Sequence, residues 1–261
     1  MWAGPRTREG ATPSQEDRFP PMALPLDLLA IGPHRDDVEL LAGGTIARQV
    51  RLGLRVGILD LTQGEMGTRG SAELRAQEAE RAAAVLGVVE RRNLGLPDAG
   101  IANTDDTRRQ VARVLRELRP RLVIAPAPQG RHPDHRVASE LIRDASFLAG
   151  LAKFDPSTAP HRPLKVLYAI AFREDQITPT FVADISETFD TKLEALRCYA
   201  SQFEGATQAG EVFPTGEPLF DVVRHQAAHY GSLIRCRYGE PFLTHETMRV
   251  DDFRTLEVST F

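Results

Sequence analysis

Cysteine is scarce in this chain: Cys198 and Cys236 are the only two among 261 residues, and they form no CxxC pair. That excludes a disulfide-stapled secreted scaffold and a thiolate zinc ribbon, and it fits the reduced thiols of a cytoplasmic protein. No run of about 18 apolar residues occurs, so no membrane-spanning helix is expected. The opening stretch, MWAGPRTREGATPSQEDRFP, lacks the apolar segment of a secretory leader. Positive charge is not in excess either. Thirty-two Lys and Arg against 36 Asp and Glu leave a net charge of −4, with no basic stripe for nucleic acid. A GxSxG elbow and a GxGxxG fingerprint are both missing, which argues against a serine hydrolase and a dinucleotide-binding enzyme.

The remaining composition is 42% hydrophobic and 26% charged, which suits one medium-sized domain that needs no staples. Residues 1–22 are polar and contain Pro and Gly, and are expected to form a disordered tail. Met22 offers an alternative start. Residues 23–261 are read as a single domain, with a cap-like C-terminal part from about 160 to 261.

From residue 26 the pattern alternates. LDLLAIG (26–32), RVGILDLT (55–62) and RLVIAPAP (121–128) are short apolar runs of the fully buried strand kind, and ERRNLGL (90–96) is a weaker fourth. Helical patterns over 43–52, 71–86 and 105–118 lie between them. The first opens on Gly43-Gly44-Thr45 and stops at Gly53, the second has Ser71 as its cap, and the third ends before Pro120. This predicts an α/β fold, a Rossmann-like doubly wound and mainly parallel sheet. Further on, 165–172 and 180–185 read as strands. Phe189, Leu193, Leu196 and Phe203 share the face of one helix, 204–218 is rich in Gly and Pro, and 221–234 reads as helix. These elements are expected to form a strand and helix addition at the sheet edge.

Charge is concentrated in two places. GPHRDDVE (32–39) follows the first strand and GRHPDH (130–135) follows the strand at 121–128. In open α/β sheets, ligands bind outside the carboxyl ends of the strands. The two loops therefore bring His34, Asp36, Asp37, His132, Asp134 and His135 to one edge. Two imidazoles and a carboxylate are a common ligand set for a catalytic divalent metal, and a dipositive ion makes adjacent aspartates favourable. The alternative is a pair of polar loops whose aspartates cap the following helices.

PHRDDVELLAGGT, LTQGEMGTRG, LGLPDAG and GRHPDH, in that order, resemble the LmbE/PIG-L family of zinc-dependent N-acetylglucosaminyl deacetylases, from about residue 26 to past 240. KLEALRCYASQF and YGEPF resemble the bacillithiol-biosynthesis branch, which deacetylates N-acetylglucosaminyl malate. The resemblance implies His34, Asp37 and His135 as ligands to Zn2+, with Fe2+ able to use the same set. It implies Asp36 as the general base, a cationic His132 at the oxyanion, and Asp134 as the carboxylate that orients His132. Arg75 and Asp98 match residues that hold sugar hydroxyls. Arg69, Arg131 and Arg35 could meet the malate carboxylates, since arginine forks suit planar oxyanions. Glu39 is read as support at the helix start, and His225, His229 and His245 match no metal motif. Arg35 stands where the family usually has proline, which removes a ring that would stiffen the loop. The resemblance further implies a small GlcNAc conjugate as substrate and a homo-oligomer, hexamers occurring among relatives. Another GlcNAc conjugate (a mycothiol precursor, a thiol conjugate, an antibiotic sugar) and a non-catalytic sugar-binding relative are the alternatives.

Overall fold

Strands Leu28–Gly32 (β1) and Val56–Thr62 (β2) are buried at every residue, as expected of strands covered on both faces. They belong to a computed structural model that describes residues 24–171, 177–203, 219–247, 249–252 and 254. The expected tail at 1–22 and the Gly- and Pro-rich stretch 204–218 lie outside the described residues. The other strands are Glu90–Leu96 (β3), Leu122–Pro126 (β4), Lys165–Ala169 (β5), Phe181–Asp184 (β6) and Gly239–Leu243 (β7). All seven form one sheet in the order β3-β2-β1-β4-β5-β7-β6. β3 through β5 pair in parallel, and β7 joins β5 and β6 antiparallel at the far edge.

Alternating residues of the strands feed two cores. Leu28, Ala30, Val56 and Ile58 pack under Asp37–Arg51 (α1), Ala72–Leu86 (α2) and Phe189–Arg197 (α5). Leu29, Ile31, Leu59 and Leu61 face Asp105–Leu118 (α3) and Pro133–Leu148 (α4). Each fully buried Leu or Ile contributes roughly 1.5–3 kcal/mol relative to exposure. Chain order reverses between β1 and β4, so the loops that follow these strands open on the two sides of the switch-point crevice. Both charged loops of the sequence are there.

Several boundaries differ from those expected. α1 begins at Asp37, not at residue 43. Gly43 and Gly44 mark a close approach inside the helix: a Cβ on Gly44 would come within 2.7 Å of the Ile185 side chain. Here the amides of Gly44 and Thr45 donate to the buried Glu240 carboxylate at 3.0 and 2.7 Å, and Lys192 Nζ bonds Leu40 O and Glu240 at 2.7 and 2.5 Å. The helix expected to carry Phe189 through Phe203 is two pieces, α5 and Ala200–Phe203 (α6), with Tyr199 between them. α4 and β7 have no counterpart among the expected elements. Leu219–Leu233 (α7) matches the C-terminal helical pattern. Cys198 and Cys236 are free thiols. Among the described residues, no helix is long and apolar enough to cross a membrane.

Candidate active site

Two helix starts build the site. Asp36 is the N-cap of α1 and Asp37 its first residue, while His132 caps α4, with Pro133 at its first position and Asp134 and His135 in its first turn. Proline is suited to that position because it has no amide to leave unsatisfied. The positive ends of both helices favour the carboxylates placed there. The rings of His34, His132 and His135 form a triangle, with centroids 5.0, 5.7 and 5.6 Å apart.

Asp37 ties two of these rings together. Its Oδ2 is 2.9 Å from His34 Nδ1 and its Oδ1 is 3.1 Å from His135 Nε2. Donor atoms of His34, Asp37 and His135 all lie within 4.8 Å of one another. Burial disfavours charge on His34, yet Asp37 foremost, with Asp36 and Asp98, outweighs it and pushes the imidazole up to about 10. Burial works against the Asp37 carboxylate too, but His135 and His34 hold it well below its ordinary value. Positive charge on His34 is favoured at this point, where a metal cation between the donors would supply it instead. These residues fit a divalent metal.

The other nitrogen of His34 also meets carboxylates: Nε2 is 3.1 Å from Asp98 and 3.4 Å from Asp134. A carboxylate on the far nitrogen fixes the ring orientation of a metal-binding histidine. Asp98 accepts from Met66 N at 2.9 Å, and Glu65 accepts from Asp98 N at 2.8 Å, so the loops after β2 and β3 are clipped together. Asp134 accepts from the amides of Ala99 and Ile101 at 2.8 and 3.3 Å. Its carboxylate therefore braces His34 and the loop after β3, and it also favours charge on His132. Its own amide donates to His132 Nδ1 at 3.2 Å. This bond assigns the proton of a neutral His132 to Nε2. Burial, and then His34 and His135, lower the pKa of His132, while Asp134 and Asp37 oppose that shift.

Asp36 faces Arg75, whose Nη2 is 3.2 Å from Oδ1. Burial raises the pKa of Asp36, Arg75 opposes that shift, and Asp37 adds to it, leaving the carboxyl raised. A carboxylate moved toward neutrality is better matched to general-base work. Arg75 is itself buried on α2 and also donates to Gly64 O at 3.0 Å. Its Nε is a buried donor without a hydrogen-bond partner among the described residues. Gly64 has φ +72, and a Cβ there would collide with Arg75 Nη1. Gly64→Ala is therefore expected to displace Arg75 and to lower kcat/KM roughly tenfold, the value of one charged hydrogen bond of about 1.5 kcal/mol. Losing Arg75 also raises the pKa of Asp36, so the acid limb of the pH–rate profile moves to higher pH. An unchanged limb in the measured profile would contradict this pairing.

The remaining arginines divide. Arg69 lies half-buried in the loop before α2, and Arg131 lies exposed in the loop before α4. Arg35 is buried and its guanidinium bonds Ala72 O. Behind the loop is a group that sequence reading missed. Arg91 on β3 bonds Asp60 on β2 at 2.8 and 2.9 Å and Glu39 at 2.6 Å. Burial opposes its charge, but Glu39 and Asp60 hold it well above its usual value. The available signal was Asp60, a lone carboxylate inside a strand that is otherwise apolar, which requires a buried cation.

The GlcNAc-PI de-N-acetylase (PIG-L) family pattern matches residues 29–146. Diacetylchitobiose deacetylase of Thermococcus kodakarensis is 33% identical over 228 residues, covering 82% of this chain and 80% of its own. The probable N-acetyl-alpha-D-glucosaminyl L-malate deacetylase 2 of Bacillus anthracis is 32% identical over 202 residues, covering 71% and 84%. The crystal structure of conserved protein TT1542 from Thermus thermophilus superposes with a TM-score of 0.78 at 39% identity, covering 87% of this chain and 98% of that one. Matches that run through both charged loops and extend over most of the fold admit one assignment: the chain belongs to the PIG-L (LmbE/PIG-L) family of N-deacetylases.

Proposed function

We propose that the protein hydrolyses the N-acetyl group of a GlcNAc-containing small molecule at a divalent metal held by His34, Asp37 and His135. The observation that carries this reading is the convergence of those three donors beside a half-buried carboxylate, Asp36, at the switch-point crevice. Zn2+ suits the donor set, and Fe2+ shares it. When bound, such an ion acidifies water and polarises the acetyl carbonyl. Asp36 accepts the proton of the attacking water and returns it to the departing amine. Arg75 holds Asp36 in place. The Nε2–H of His132 hydrogen-bonds the carbonyl oxygen as negative charge develops there. Asp98 and Asp134 keep the His34 ring from turning.

Among substrates we place N-acetylglucosaminyl malate first, with Arg69 and Arg131 as the cations for its carboxylates and Arg75 and Asp98 at the sugar. Arg75 Nε, buried and without a partner among the described residues, supports the sugar contact. Diacetylchitobiose is the second reading. It is favoured by the inward turn of Arg35, which takes one arginine away from malate, and by the wider coverage of the chitobiose deacetylase match. Acetate release from the two compounds and from free GlcNAc discriminates them. The malate reading predicts a kcat/KM for the malate conjugate higher by about tenfold, one ion pair of about 1.4 kcal/mol. Equal or faster release from diacetylchitobiose reassigns the substrate to the uncharged disaccharide. Acetate from none of the three, with metal bound, favours the non-catalytic alternative.

A further inference from the structure

We propose that Arg91 and Tyr199 are positioning residues that hold the metal loop in its ligating shape by clamping one backbone atom, the carbonyl oxygen of Arg35. The inference rests on the metal reading of His34, Asp37 and His135. Arg35 lies between the ligand His34 and the base Asp36, so the orientation of its peptide aims both side chains. An arginine at this position fixes no φ of its own. The loop therefore takes its rigidity from contacts, and two donors, the half-buried Arg91 and the buried Tyr199, meet at that carbonyl. Arg91 Nη2 donates to Arg35 O at 2.6 Å, and the Tyr199 hydroxyl lies against the same oxygen.

Both donors are fixed from behind. All three guanidinium nitrogens of Arg91 are engaged: Nε and Nη2 grip Asp60, and Nη1 reaches Glu39 at 2.6 Å and Ala79 O at 3.2 Å. Tyr199 Oη is also 2.8 Å from the Glu39 carboxylate, so its single proton is shared between two acceptors. Glu39 and Tyr199 are 0% exposed and Asp60 is 2% exposed. Groups this shielded gain little from solvent when a bond breaks, so the bonds that are made hold firmly, and Glu39 Oε2 is the one buried side-chain atom of the group without a hydrogen-bond partner among the described residues. The network gathers one residue from each of β2, β3 and α1, plus Tyr199 from the C-terminal addition, 164 positions from Arg35. The hydrogen bonds of Arg91 and Tyr199 run to Arg35 O, Ala79 O and the carboxylates of Glu39 and Asp60. Both residues act through the Arg35 peptide.

The test uses the full-length protein loaded with zinc alone. Tyr199→Phe removes one oxygen and keeps the ring, which packs edge-on against Phe203. Arg91→Lys keeps the charge but cannot reach Asp60, Glu39 and Arg35 O together. For each variant, zinc affinity is measured by competition with a chromophoric chelator. The kcat and KM for acetate release and the melting temperature of the metal-free protein are measured alongside. Expected for Tyr199→Phe is a loss of about 10–100-fold in zinc affinity and in kcat, the usual effect of removing a group that orients a metal ligand, with little change in KM. Leu115→Ala, a core change on α3, serves as the control: it lowers the melting temperature and leaves zinc affinity unchanged. Wild-type zinc affinity and kcat in Tyr199→Phe would overturn the clamp, whatever Arg91→Lys does to folding. So would an equal loss of affinity in Leu115→Ala. A wild-type chain that takes up no zinc overturns the metal reading itself, and the clamp with it.

Discussion

Asp36→Asn lowers kcat by about 10²–10⁴-fold, the range that general acid–base catalysis contributes, while zinc binding persists. The amide has nearly the shape of the carboxylate, and Asp36 is not among the three converging donors, so the metal set is intact. What disappears is the oxygen that accepts a proton from water, together with the charge that holds Arg75 Nη2 at 3.2 Å. KM is expected to change far less than kcat, because proton transfer belongs to the transition state and not to binding. Steady-state kinetics with parallel metal analysis checks this. A fall of less than about tenfold would mean that another group takes the proton.

Zinc uptake by the metal-free protein is expected to release at least one proton per chain, that of His34, throughout pH 7–9. His34 is pushed up to about 10, above its ordinary 6.5, chiefly by Asp37 against the opposing effect of burial. The sign follows from that direction. A charged His34 stabilises the metal-free fold fully below about pH 6.5, and this contribution is lost as pH rises through about 10. A metal needs the neutral ring, so binding must expel the proton wherever His34 is still charged. Zinc affinity therefore climbs about tenfold per pH unit over this range. Calorimetry in buffers of different ionisation enthalpy counts the proton directly. Asp37→Asn removes the carboxylate charge that would hold the ion and that chiefly raises His34, so uptake and the His34 proton release should weaken together. Zinc binding without proton release in the unaltered chain would contradict the raised pKa of His34.

The parts of this account that were legible from sequence are those carried by local chemistry. β1, β2 and β4 are apolar runs short enough to be strands, and each of the two charged loops follows such a run, so strand order was not needed to bring them to one edge. Ser71 caps α2 and Gly53, at φ +87, closes α1, as their residue types suggest. The parts that were not legible depend on partners distant in the chain. Gly43-Gly44 looked like a helix start because nothing nearby announces Ile185 or Glu240, which make those glycines and their amides useful inside α1. β7 contains a glycine and a proline, which lower its strand propensity, and only its pairing with β5 and β6 makes it a strand. Arg35 looked available to a substrate, but its side chain turns to Ala72. Arg91 lay in the weakest of the expected strands, and its role depends on Glu39, Asp60 and Tyr199 meeting behind the loop.

The most direct test of the central claim is acetate release by one preparation assayed as purified, after chelation, and after return of one equivalent of zinc. The account predicts that chelation removes acetate release from a GlcNAc conjugate and that zinc restores it, with one ion bound per chain. Acetate release that continues undiminished in protein shown to contain no metal would contradict it.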